Sequence, residues 1–187
     1  MNRFFVNSDQ IKDQEIIIEG TDVNHIKNVL RLRIGEKIQI SNGQGQSFYC
    51  IIRSINEKNI ITDIIESSNN NSELKTKIYL FQGLPKKDKF ELIIQKAVEL
   101  GVYEIIPVMT ARTIVKLDEK KEHKKGNRWD SIAESAAKQA NRGIIPFVST
   151  PLSFKEAIKY ASKLDMNLVP YEMATDISKS RHIINNI

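Results

Sequence analysis

The feature that most constrains this chain is a change of apolar rhythm near residue 70. Before it, the apolar residues come in short runs: Arg3-Phe-Phe-Val6, Glu15-Ile-Ile-Ile18, Lys37-Ile-Gln-Ile40, Ser47 to Ile55 and Ile60 to Ile65. These runs are rich in β-branched and aromatic residues, which suit a pleated, half-buried surface. Gly35-Glu36 and Asn42-Gly43-Gln44-Gly45 supply turns between them. A single helix is predicted from a Thr21 cap, with Val23, Ile26 and Leu30 as its apolar stripe. Five short strands and one helix predict a small β-barrel over residues 1–66. The run Ser67-Ser-Asn-Asn-Asn-Ser72 offers nothing to a core and is expected to open a linker, 67–76.

From residue 77 the pattern alternates. Lys77 to Phe81, Glu104 to Val108, Ile145 to Val148 and Met166 to Val169 read as strands. Asp88 to Leu100 (stopped by Gly101), Trp129 to Ala140 and Ser153 to Ser162 (capped by Ser153) read as helices. Alternation of this kind predicts a parallel sheet with helices on its faces. Such sheets bind ligands beyond the carboxyl ends of their strands. Here those ends hold Gln82 to Lys86, Thr110 to Arg112 and Tyr171-Glu172. The charged stretch 116–128 is expected to be a solvated loop.

Charge follows the same division. Residues 1–72 hold 8 Lys+Arg against 9 Asp+Glu, whereas residues 73–187 hold 20 against 14. The second unit therefore carries the field that draws a polyanion. No apolar run approaches the roughly 18 residues of a membrane helix. The N-terminus lacks the pattern of a signal peptide. The one cysteine, Cys50, sits in an apolar strand and is expected to be a buried, inert thiol, which suits a cytoplasmic protein. His25, His123 and His182 lack a second ligand at useful spacing, so no metal is expected. There is neither a Gly-x-Gly-x-x-Gly fingerprint nor a P-loop.

The candidate contacts follow from position. Lys86, Lys87 and Lys89 cluster at a helix start, an awkward place for cations unless an anion sits there. Arg112 lies at a strand's carboxyl end. On the helix from Trp129, Gln139 and Arg142 project away from the apolar stripe, where an amide and a guanidinium can contact bases or phosphate. Lys96 and Glu99 are spaced to pair on one helix.

The blocks His25-Ile-Lys-Asn-Val-Leu-Arg31 with Leu32 to Gly35, Leu84 to Gly101, Ile106-Pro107, Thr110 to Thr113, Arg128-Trp129, and Ala136-Ala-Lys-Gln-Ala-Asn-Arg142 with Ile145-Pro146 occur together and in order. Together they resemble the bacterial 16S rRNA uracil-N3 methyltransferases, the RsmE type of the SPOUT class. The resemblance implies a PUA-like RNA-binding barrel followed by an α/β, Rossmann-like SPOUT domain with a trefoil knot, here 77–187. It also implies S-adenosylmethionine as cofactor, 16S rRNA of the small ribosomal subunit as partner, and a homodimer. Carried onto this chain, it makes Arg31, Arg33, Lys86, Lys87, Lys89, Arg112, Arg128, Gln139 and Arg142 the expected RNA contacts. Glu99 and Arg142 become weak catalytic candidates, and Tyr171 and Glu172 cofactor contacts. Lys87 stands where the family usually has Gly, and Ala140 where it often has Ser or Cys. The family continues past Tyr171-Glu172 into a glycine-rich loop and a Leu-Gly-x-Arg-Ile-Leu-Arg segment. This chain ends at Ile187 before either, so a C-terminal truncation is expected, with the knotted part missing and Asp176–Ile187 poorly anchored. The alternative function is a non-catalytic RNA-binding fragment with negligible cofactor affinity.

Overall fold

The computed structural model describes residues 1–69, 73–86, 89–111, 113 and 119–170. The first unit contains β1 (Arg3–Phe5), β2 (Ile11–Lys12), β3 (Glu15–Glu19), α1 (Thr21–Asn24), β4 (Lys37–Ser41), β5 (Gln46–Ile55) and β6 (Asn59–Asn69). They form one six-stranded sheet in the order β1-β4-β5-β6-β3-β2, with β1 parallel to β4 and the other neighbours antiparallel. Register shifts at Tyr49/Cys50 and Ile52/Ser54 bend the long β5–β6 hairpin. Phe4 near one edge, Ile16 and Ile18 near the other, and Ile38, Ile40, Ile52 and Ile60 between them all enter one core, so the sheet is curled around it. Each fully buried isoleucine contributes roughly 1.5–3 kcal/mol of transfer free energy. Cys50 is in this core. Burial pushes its thiol up to about 11, with Asp63's charge adding and a Thr62 hydrogen bond partly offsetting the rise.

Two expectations fail in this unit. Ser67, Ser68 and Asn69 are not linker: they extend β6 and pair with Phe48, Ser47 and Gln46. Backbone pairing needs no apolar side chain, and β5 is long enough to offer partners, so any linker begins no earlier than residue 70. Thr21 does not cap the helix either. Gly20 holds the N-cap position at φ 73°, and four α-helical residues pass into a π-type turn at His25–Val29. The wider turn carries Val29 out to solvent, while Ile26 stays buried.

The second unit contains β7 (Tyr79–Gly83), α2 (Lys89–Glu99), β8 (Glu104–Met109), α3 (Glu119–Gln139), β9 (Phe147–Val148), β10 (Leu152–Ser153) and α4 (Phe154–Ala161). All its strand pairs are parallel, and β8 is central, with β7 on one side and β9 then β10 on the other. Phe90, Ile94 and Val98 of α2 pack with Trp129, Ala133, Ala136 and Ala137 of α3. Phe90 and Trp129 meet edge to face at 4.7 Å. The alanines let α3 lie close, and Gly101, at φ 96°, ends the turn after α2. A Cβ at Gly101 would stand 2.8 Å from Leu74 Cδ1.

The sequence misplaced two elements here. Residues 119–128, expected in a loop, form the first half of α3. Their Lys and Glu residues are good helix formers, and Trp129 onwards anchors the helix they extend. The fourth strand expected at Met166–Val169 is absent: these residues are exposed and make no described ladder. A short strand the sequence did not show, β10, pairs with β8 beyond β9.

The two units are joined by a polar seam. Arg3 of β1 is 7% exposed, and its guanidinium donates to Asn141 O and to Ser47 Oγ. Ser41 Oγ and the Gly45 N–H both reach Gly143 O, at 3.0 and 3.3 Å. Lys138 Nζ donates to Asp22 at 3.0 Å. Gln44 and Ile144 form an antiparallel bridge.

Candidate functional site

In a parallel α/β unit the helices run against the strands, so the two edges of the sheet differ in kind. The carboxyl edge gathers the ends of β7, β8 and β10. There, a pocket of about 420 Å³ lies between Gly83, Val108, Thr110, Phe154, Ile158 and the segment Asn167–Pro170. Its walls are mostly apolar, and Thr110, Ser162 and Asn167 supply the polar groups. Thr110 is set by a turn in which its N–H donates to Thr113 Oγ1 and the Thr113 N–H donates back to Thr110 O. Tyr171 and Glu172, the expected cofactor contacts, lie outside the described residues, as does Asp176–Ile187. Pro170, the residue before Tyr171, lines this pocket.

The amino edge is polar. Arg142, a weak catalytic candidate, was also expected on the RNA surface, and the structure buries it instead. It is 5% exposed, and its Nη1 donates to Val98 O and Val102 O at 2.9 and 3.1 Å. Nε and Nη2 grip the Glu73 carboxylate, which also accepts the N–H groups of Gly143 and Ile144. Burial alone would raise the Glu73 carboxyl. The Arg142 hydrogen bonds, the Gly143 and Ile144 N–H groups and the Arg142 charge together hold it below the ordinary range. A short polar segment and a helix end, 69 residues apart, are thereby clamped. Glu99 lies at the same edge, at the end of α2, hydrogen-bonded to Lys96 (2.7 Å) and Gln95 (3.0 Å). The Lys96 hydrogen bond is the main cause holding its carboxyl low. Neither Glu99 nor Arg142 is among the residues lining the carboxyl-edge pocket.

The remaining candidates are surface groups. Arg31 and Arg33 are exposed after the π-type turn, Arg31 with φ 54°. Lys86 and Lys89 are exposed at the start of α2, and Lys87 and Arg112 lie outside the described residues. Arg128 is exposed and bonds Glu91 through Nε and Nη2 (2.7 Å for the latter). That hydrogen bond is the main cause holding the Glu91 carboxyl low. Gln139 is exposed on the rim of a cleft of about 630 Å³ between β1, α1 and the end of α3. Arg3 and Asn24, which also line this cleft, were not among the expected contacts, whereas His25 opens the His25–Arg31 block that carries the resemblance. An arginine inside the apolar run Arg3–Val6 was the one available signal. No group of three or more His, Cys, Asp or Glu among the described residues could hold a metal ion. No helix among them is long and apolar enough to cross a membrane.

Known proteins share both units. Residues 18–65 match the RNA methyltransferase PUA domain, and residues 72–186 match the RNA methyltransferase domain. These matches define the class: an RNA methyltransferase with an N-terminal PUA domain. A ribosomal RNA small subunit methyltransferase E of Bacillus subtilis is 37% identical over the whole of this chain and 75% of its own length. A Legionella pneumophila putative methyltransferase, solved in complex with its cofactor S-adenosylmethionine, superposes with a TM-score of 0.83 at 28% identity, over 93% of this chain and 72% of that one. The small subunit methyltransferase E of Neisseria gonorrhoeae, solved bound to S-adenosylmethionine, gives 0.76 at 29% identity, over 84% of this chain and 64% of that one. The chain belongs to the ribosomal RNA small subunit methyltransferase E family.

Proposed function

We propose that this protein methylates N3 of a decoding-region uridine in 16S rRNA, with S-adenosylmethionine as donor. The observation that carries the reading is family membership over the whole chain, joined to a pocket at the carboxyl edge of the sheet. The pocket suits the cofactor's purine and aliphatic parts through Phe154, Ile158 and Val108, and its ribose through Thr110 and Ser162; Tyr171 and Glu172 complete the proposed contacts. When bound, the cofactor supplies a methyl group on a positively charged sulfur. The chain's own work is to hold the uracil in line with that group and to keep water away, which proximity makes effective. N3 lies on the Watson–Crick edge, so the base must be unpaired to be presented. It must also lose its N3 proton, and none of the described pocket-lining side chains is titratable.

The RNA contacts in this reading are Arg31 and Arg33 on the barrel, and Lys86, Lys87, Lys89, Arg112, Arg128 and Gln139 on the second unit. Exposure of the described members supports them. For the family's complete chain the same reading includes the SPOUT trefoil knot, a homodimer and action in the cytoplasm on the small subunit. The test is transfer of labelled methyl from S-adenosylmethionine to unmodified small subunits. The expected product is N3-methyluridine, seen by mass spectrometry and as a reverse-transcription stop in the decoding region. Label on another base, or on carbon or ribose, refutes the reading.

A further inference from the structure

We propose that the cleft between the barrel and the C-terminal half of α3 is an anchoring groove for unpaired RNA, separate from the methyl-transfer pocket. This rests on the RNA-methyltransferase reading and adds where, away from the reacting base, the substrate is held. The cleft is within the size range of small-ligand sites, about 300–1,000 Å³. Arg3 lines it; the residue is 7% exposed, and its Nε–H has no hydrogen-bond partner among the described residues. Its Nη1 and Nη2 are held by Asn141 O and Ser47 Oγ, so the guanidinium brings a fixed positive charge to the cleft wall, which attracts phosphate. The rim is neutral and rich in hydrogen-bonding groups: Asn24, His25, Ser135, Gln139 and Asn141. Such groups read base edges and the ribose 2′-hydroxyl of single-stranded RNA.

The cleft does not end there. A second groove of about 460 Å³ shares Ser135 and Gln139 with it and continues along α3 past Ser131 to Arg128 and Gln95. Arg128, Ser131, Ser135 and Gln139 recur at three- and four-residue spacing and so share one helix face. At about 1.5 Å per residue the stripe spans about 16 Å, long enough for a strand of several nucleotides. Of the acidic groups beside it, Asp22 and Glu134 share Lys138, which leaves one net negative charge, and Glu91 is paired by Arg128. One cation lines the far end of the second groove, Arg128, and Arg3 and Lys138 line the cleft itself. Because the cleft lies at the amino edge, it holds nucleotides flanking the target uridine rather than the uridine itself.

The test uses a fluorescein-labelled single-stranded decoding-region RNA, its duplex form, and the same strand carrying 4-thiouridine for photo-crosslinking. Ser135→Trp, at an exposed position, fills both grooves. It is expected to weaken single-strand binding about tenfold while changing duplex binding less than about twofold. In methyl transfer it should raise KM for RNA and leave kcat at saturating RNA unchanged. Crosslinks on the unaltered chain should fall within residues 131–141 and 21–31, which decides the matter should the variant misfold. Undiminished single-strand affinity in a natively folded Ser135→Trp, or crosslinks confined to other segments, overturns the groove while leaving the methyltransferase reading intact. Failure of the unaltered chain to bind any of these RNAs would remove both.

Discussion

The two edges of the parallel sheet are built on opposite principles. At the amino edge, charge is buried and matched: Arg142 closes on Glu73 and two backbone carbonyls, and Arg3 ties the barrel to the end of α3. At the carboxyl edge apolar surface is left open: Phe154 is 60% exposed, Ile158 53% and Val169 84%. Directional bonds fix how two units sit, because they are lost with small displacements. Non-directional apolar surface suits a place where something else is to be covered. The contrast fits alignment at one edge and, in the proposed reading, cofactor burial at the other.

The comparison breaks most readily at the clamp. Arg142→Leu leaves the Glu73 carboxylate buried without its partner and should cost about 3–5 kcal/mol in urea unfolding. A loss below about 1 kcal/mol would mean that the amino edge is no more committed than the other. Acid tests the same pair. Glu73 is depressed in the folded state, so its contribution is present above the ordinary carboxylate range and is lost as pH falls through the folded value. Stability of the unaltered chain should therefore fall on acidification from about pH 5 to about pH 3, and more steeply than that of Glu73→Gln. A smaller effect is expected across the seam. A double-mutant cycle of Lys138→Met with Asp22→Asn should give about 1 kcal/mol or less, since the Lys138 side chain is 25% exposed. Least affected in stability is the open edge, where Ile158→Ser should stay within about 0.5 kcal/mol. The same change should weaken S-adenosylmethionine binding by calorimetry, and unchanged affinity would detach the cofactor from this pocket.

What could be read in advance was whatever depends on near neighbours. The capping box at Ser153, whose hydroxyl accepts the Glu156 N–H while the Glu156 carboxylate accepts the Ser153 N–H, is visible as Ser-x-x-Glu. The β4 and β5 strands and the buried stripe of α2 follow from local periodicity in the same way. Arg142 could not be placed so, because its partner Glu73 lies 69 residues away in a segment with no pattern of its own. The fourth strand failed for a related reason: an apolar run has strand character, but a ladder needs a neighbour, and the far side of β8 is taken by β9 and β10. The carboxyl-edge pocket was legible as a location and not as a lining, since α4 and Asn167–Pro170 reach it only through the folded chain. Burial of Cys50 was legible from the strand around it.

Arg3 also sets an order of events during synthesis. It is made almost first, yet one of its two hydrogen-bond partners, Asn141, comes 138 residues later. At about 5–20 residues per second, the ribosome needs about seven to twenty-eight seconds to supply it. The barrel's strands have all emerged well before then, so until α3 arrives Arg3 has only Ser47 of its two partners. The newborn barrel therefore has one unsealed edge, and its final closure coincides with docking of the second unit.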